Sequence, residues 1–358
     1  MRLKTTVELT TKPTKERQRI SSTFAITRRV AQKTLGCFFN FVHFVGSVVS
    51  STAVIRIIRD NCLPKLNWAG YALLSAASFA AMAACIRVLS ASLPEGEVVF
   101  FRNFLALLLL LPLAWRRKVS LATDHFGLHL LRATAGLAAM SLYFYALYHL
   151  PLADAILLNY TSPLFIALFA TWWLQERWTQ TRMLATLVGL VGVALLFHPS
   201  SAIASAAGIA GLASGAFAGL ALTSVKKLSG SDESLRIVLW FALLGSLISA
   251  AALPFGAVMP PLADWGWLLG MGFFGNVGQL ALTRAYQLAP ANKVSPLGYS
   301  GLIFAGIIGY LFWGETPDLL KMVGAAIIIS ACLLVLRERT EPMPEPPGSV
   351  PEFASDKQ

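Results

Sequence analysis

Arg102, in the run "FFRNF", sets a guanidinium about one turn inside a stretch of apolar residues. An ionisable group in such a place is expensive and is often kept for function. Facing a cavity, it would clamp a carboxylate or another anion through its planar fork. The structural alternative is a head that reaches outward to the membrane surface or pairs with Glu95 or Glu97. Arg284, in "LTRAY", is also open to two readings, a gate charge or a basic anchor at the end of its stretch. Glu176 and Glu315 each close an apolar stretch. A carboxylate at a helix C-terminus opposes the helix dipole. Each therefore needs a partner, either a charge across the molecule or the start of a neighbouring helix to cap. Asp154 is the remaining charge of interest and falls in a connection, in "HLPLAD".

The uncharged candidates are Tyr143, Asn159, Tyr160, Gln279 and Tyr299. Binding pockets combine apolar and aromatic walls with a few polar groups. Hydrogen bonding between helices is the alternative for each of them. Covalent and metal chemistry have no support. The chain has no HExxH and no GxSxG, its five histidines are dispersed, and its four cysteines form no CxxC pair. No catalytic residue, metal or cofactor is expected. No carboxylate lies in the middle of an apolar stretch, so no proton relay is announced.

Positioning these groups falls to helices in a membrane. The chain is 56% hydrophobic and 13% charged, against about 25% charged in soluble domains. About 20 apolar residues span a bilayer, and only helices or closed barrels satisfy their backbone there. The apolar runs do not alternate as barrel strands do. Ten spans are expected, near 68–90, 97–115, 127–148, 153–174, 182–198, 205–227, 236–256, 265–287, 294–313 and 319–337. With the start of span 1 in the cytoplasm, thirteen Lys/Arg fall inside, Arg132 and Lys293 among them, and three outside. The positive-inside rule then places both ends of the ten-helix unit in the cytoplasm.

Residues 1–65 carry twelve Lys/Arg against three Asp/Glu, which accounts for most of the net charge of +11. A basic leader of this kind suits an anionic lipid surface better than nucleic acid. Leu35–Ile55 is long enough to cross but is weakened by Asn40 and His43, so it reads as an interfacial or poorly ordered segment, with an eleventh span as the alternative. The Pro-rich end, "EPMPEPPGSVPEF", reads as a disordered tail.

The spans repeat. At an offset of 139 residues, Pro151 meets Pro290, Leu158 meets Leu297, Tyr160 meets Tyr299 and Phe165 meets Phe304. The same offset brings Glu176 to Glu315 and Asp154 to Lys293. Each copy holds five spans, an odd number, so the second copy inserts upside down. The opposite charges at Asp154 and Lys293 agree with that inversion. Inverted repeats are the architecture of secondary transporters, with substrate held where the halves meet. The expected organisation is a leader (1–66), a first repeat (67–199), a second repeat (200–337) and a tail (338–358). Pro163 and Pro296 lie within spans and permit bends. Gly211, Gly215 and Gly219 form a stripe that lets a neighbouring helix come close.

Three stretches carry a resemblance to a known family: "FFRNFLALLLLLPL", "FYALYHLPLADAILLNYTSPLFIALFATWWLQE" and "ALTRAYQLAPANKVSPLGYSGLIFAGIIGYLFWGE". The chain resembles the EamA-type ten-helix branch of the drug/metabolite transporter superfamily over about residues 68–337. That resemblance implies an all-α protein of the bacterial cytoplasmic (inner) membrane with two inverted five-helix repeats. It also implies a central cavity and a small-molecule substrate such as an amino acid, S-adenosylmethionine or riboflavin. A lipid-linked carrier flippase is the alternative activity. The expected partners are the substrate and surrounding lipid.

Overall fold

The computed structural model describes residues 66–338 except 151, 198–204, 252, 254–257 and 317. The basic leader with Leu35–Ile55, and the Pro-rich tail, lie outside the described residues. Every regular element among the described residues is helical. The first half holds α1 (Trp68–Leu89), α2 (Glu95–Arg116), α3 (Phe126–His149), α4 (Leu152–Asn159), α5 (Ser162–Leu174) and α6 (Gln180–Phe197). The second holds α7 (Ala206–Leu228), α8 (Ser234–Ala250), α9 (Trp265–Leu288), the single turn α10 (Ala291–Val294), a 3₁₀ segment (Ser295–Tyr299), α11 (Ser300–Trp313) and α12 (Leu319–Arg337). Among the described residues, six stretches are long and apolar enough to span a membrane, and α6 and α8 are shorter apolar helices. Helices α3 and α9 match the spans in length but are less apolar. Both supply polar groups to the interior.

The two halves are built alike. α7, α8, α9, α10 and α12 begin 138 or 139 residues after α1, α2, α3, α4 and α6. The local chemistry repeats with them. Asn67 Oδ1 accepts from the Gly70 amide (2.9 Å) to cap α1. Ser205 Oγ accepts from the Gly208 amide (3.2 Å) to cap α7. Such side chains satisfy backbone donors left free at a helix start. α5 and α11 both stop at a left-handed residue, Gln175 (φ 57°) and Gly314 (φ 68°), which lie 139 positions apart.

The fourth span of each half is interrupted. α4 ends at Asn159 and α5 begins at Ser162, leaving Tyr160 and Thr161 between them. In the second half the α-helical geometry tightens to 3₁₀ over Ser295–Tyr299 before α11 resumes. Pro163 sits in the first turn of α5 and Pro296 at the start of the 3₁₀ segment. Each opens a new helical piece, where its missing N–H is harmless.

Packing follows the exchange of halves. α1 lies against α9, and its counterpart α7 lies against α3. α7 also packs on α4 and α5, as α1 packs on the 3₁₀ segment and α11. α2 pairs with its own counterpart α8, and α6 with α12. The contacts are therefore mostly between halves, and they map onto themselves when the halves are swapped. The glycine stripe makes one of them possible. A Cβ on Gly215 would lie 2.5 Å from Thr161 Oγ1 and 2.9 Å from the Leu158 carbonyl, and one on Gly219 would lie 2.6 Å from Phe165 Cβ. α7 thus touches the interrupted span at its break. Exposed Leu168, Val191, Ile209, Leu247 and Leu311 cover the outer surface with the apolar side chains that lipid requires.

Candidate substrate site

Arg102 on α2 is buried. It does not pair with Glu95 or Glu97; the Glu97 carboxylate instead accepts from the Val258 amide. Arg102, Asn103, Phe241, Asn276 and Gln279 line a cleft between α2, α8 and α9. The Arg102 guanidinium carbon lies 5.7 Å from the centre of the Phe241 ring. A second buried cation, Arg132 of α3, approaches the same ring at 4.0 Å. Its Nη2 donates to Gln279 Oε1 (3.3 Å). Neither arginine makes an ion pair among the described residues, and the Nε of each is buried without a hydrogen-bond partner there.

Small residues make room for this arrangement. A Cβ on Gly136 would lie 2.6 Å from Arg132 Nη1 and 3.3 Å from the Phe241 ring. A Cβ on Gly245 would lie 2.9 Å from the Asn103 side chain. Asn276 Nδ2 donates to the Ala106 carbonyl (3.0 Å), which fixes α9 against α2. The cleft between α2, α8 and α9 therefore presents one cation, an aromatic face and amide groups, and a second cation, Arg132 of α3, reaches its lining residues Phe241 and Gln279.

The tyrosines form a separate group. Tyr160 and Tyr299 stack with ring centres 6.2 Å apart and planes inclined by 25°. Tyr299 is fully buried, and its hydroxyl donates to the Thr186 carbonyl (3.3 Å). Its ring lies over Gly189, where a Cβ would come within 2.4 Å. Tyr299, expected as a binding residue, is placed between α6 and the second broken span. Tyr160 stacks on one face of its ring. Asn159 Nδ2 donates to Ser214 Oγ (3.2 Å), an interhelical bond to α7. Tyr143 packs against the cluster of Ala146, Leu150, Ala155, Leu158 and Ala207. Of the six expected binding residues, only Arg102 and Gln279 line the cleft.

The charges at the helix ends divide by side of the bundle. Glu176 caps the second half: its carboxylate accepts from the Ala291 (2.8 Å) and Asn292 (3.1 Å) amides at the start of α10. Lys226 Nζ donates to the carbonyls of Tyr286 (2.7 Å), in the last turn of α9, and of Ala289 (2.8 Å), just past its end. Arg182 bridges Asn292 Oδ1 (3.0 Å) and Glu338 Oε2 (2.9 Å). At the opposite end Glu315 pairs with Arg87 (2.6 Å), and both side chains are about half exposed (52% and 51%). Arg284 is exposed and donates to Gln287 Oε1 (2.8 Å), the placement of an anchor.

Three charges assigned to connections lie elsewhere. Asp154 is wholly buried in the first turn of α4, and Lys293 is wholly buried in α10, its Nζ donating to the Glu338 carbonyl (2.8 Å). Arg132 belongs to the interior of α3 rather than to an inside turn. Sequence reasoning also missed a cluster in the turn after α7. There Asp232 accepts from Arg236 Nη1 (2.7 Å) and Thr123 Oγ1 (3.1 Å), and bonds to His129 Nε2 (2.9 Å). Burial pushes the Asp232 carboxyl up, but hydrogen bonds from Arg236, His129 and Thr123 outweigh it and hold the group below its ordinary value.

Comparison with known proteins agrees with this architecture. The model of the EamA-like transporter family matches residues 66–198 and again 206–337. The chain is similar to a pseudopaline exporter of Pseudomonas aeruginosa (strain UCBPP-PA14), with 34% identity over 75% of this chain and 95% of the relative. A riboflavin transporter of Brucella anthropi is 32% identical over 69% of this chain and 89% of its own. An S-adenosylmethionine uptake transporter of Rickettsia felis is 27% identical over 80% and 98%. A solved crystal structure shares the fold with a TM-score of 0.67 at 17% identity, over 76% of this chain and 99% of that one.

Proposed function

Because the chain belongs to the EamA-like transporter family, we propose that it moves a small metabolite across the cytoplasmic membrane by exchange between its two inverted halves. That it is a multi-pass membrane transporter follows from the family. The substrate and the exchange mechanism are the proposal. The observation that carries it is the paired interruption of the fourth span in each half, at Tyr160 and Tyr299, where the halves touch. Broken helices at a repeat interface are the places where transporters hold substrate and bend. The two ends of the bundle also differ. One is closed by Glu176, Lys226 and Arg182 in a set of hydrogen bonds between elements. The other carries the half-exposed Arg87–Glu315 pair. In this reading the second end is the open one, and transport interchanges the two.

The test uses the purified full chain in proteoliposomes preloaded with unlabelled amino acids, S-adenosylmethionine or riboflavin. Saturable exchange of at least one labelled solute is expected. No movement of any of them, by protein shown to be inserted and folded, rejects the metabolite reading and favours a flippase assayed with lipid-linked carriers.

A further inference from the structure

We propose that Arg102 and Arg132 form the anion-binding part of the substrate site and that the substrate carries two carboxylates. This rests on the transport reading and adds the charge class of the cargo. Two guanidiniums share one aromatic ring, Phe241, inside a bundle surrounded by lipid. Both side chains are more than nine-tenths buried, and neither has a carboxylate partner among the described residues. Unpaired buried charge opposes folding strongly unless something compensates it. The cation–π contacts with Phe241 and the amide of Gln279 compensate only in part. The orphaned Nε atoms mark donors still to be satisfied, and a carboxylate accepts from Nε and Nη together in the bidentate geometry that guanidinium favours. Two such forks call for two negative charges.

The surroundings limit what else the pair could serve. Glu97, the nearest acid along α2, accepts from the Val258 amide through Oε1 and leaves Oε2 buried without a partner, but it makes no ion pair with either arginine among the described residues. Asn103 Nδ2 is committed to the Val99 carbonyl (3.0 Å), and Asn276 Nδ2 to Ala106. Gly136 leaves Arg132 the space it occupies, since a β-carbon there would strike its guanidinium. The site is thus shaped around two cations and supplied with none of the acids that a structural ion network would use.

The experiment measures binding of succinate and of its monoamide, succinamate, to the full chain in nanodiscs. Saturable succinate binding is expected, weakened roughly tenfold or more for succinamate and for Arg102→Gln and Arg132→Gln. Thermal unfolding of the ligand-free protein supplies a second readout. Removing an uncompensated buried charge relieves its burial, so Arg102→Met and Arg132→Met should melt higher than wild type while losing succinate. Absence of succinate binding to the wild type overturns the proposal, as does binding that neither the amide nor the substitutions change. Lower melting of both Met variants overturns it as well, because it makes the arginines structural. A protein that exchanges solute but ignores succinate refutes the dicarboxylate site alone. One that binds succinate but carries nothing refutes transport alone.

Discussion

Tyr160 and Tyr299 occupy the same position in the two halves and lie face to face, ring centres 6.2 Å apart. Their contact therefore sits where the two interrupted spans meet. Only one of the pair has a buried hydroxyl bond, from Tyr299 to Thr186. Tyr299→Phe should lose about 1 kcal/mol of stability, and Tyr160→Phe much less. A double-mutant cycle to Leu should give a coupling of about 0.5–1.5 kcal/mol, as expected for aromatic pairs. Thermal melts of the four proteins in detergent measure both. Zero coupling means that the rings touch without holding the halves together.

Glu176 closes one end by capping the start of α10. Glu176→Ala should cost about 1–2 kcal/mol, in the range of lost helix caps. It should also loosen that end selectively. A cysteine placed at the buried Asn292 should react faster with a water-soluble maleimide in the Glu176→Ala background. Equal labelling rates in the two backgrounds count against a closing role.

The Asp232 carboxyl gives a dependence on acidity. Its folded value is held below the ordinary 3.8. Stability from this group is then fully present above pH of about 4 and is lost as pH falls through the lower folded value. Melting temperatures between pH of about 6 and 3 should fall more steeply for the wild type than for Asp232→Asn. Parallel curves show that the cluster adds no such linkage.

Gln175 and Gly314 share a left-handed backbone at the ends of α5 and α11. A residue with a Cβ pays about 1 kcal/mol there, which glycine avoids. Gln175→Gly should therefore raise the melting temperature, and Gly314→Ala should lower it, each by an amount equivalent to about 1 kcal/mol. The Gln175 side chain donates to the Trp172 carbonyl (2.9 Å), so a smaller gain than the loss at Gly314 is expected.

The architecture was legible because its signals are additive along the chain. Apolar length fixes a span, and one offset of 139 residues relates many columns at once. The partner of Glu176 was legible as a need, since a carboxylate at a helix end must find donors, and those donors proved to be the amides of α10. The site was less legible. Arg132 lies near the start of α3, where its sequence position looks like that of any basic residue in an inside turn. Only the packing of Phe241 and Gly136 around it shows that it turns inward. Phe241 is one of 22 phenylalanines, and nothing in its neighbours separates it from a lipid-facing ring. Tyr299 looked equivalent to Tyr160 in sequence, yet Gly189 admits it against α6 of the other half. Repeat symmetry places backbones; side-chain surroundings come from the helix opposite.

The short linker at Ala289–Pro290 is clasped from both directions. Lys226 holds the carbonyls before it, and Glu176 and Arg182 hold the amides and side chain after it. Breaking any one of these bonds loosens the linker only in part while the others remain. Opening at this end must then pass through a transition state in which several bonds are broken together, so its activation enthalpy should be large. The turnover rate would rise steeply on warming, and a single loss such as Lys226→Met would flatten that slope before it changed which solute is carried.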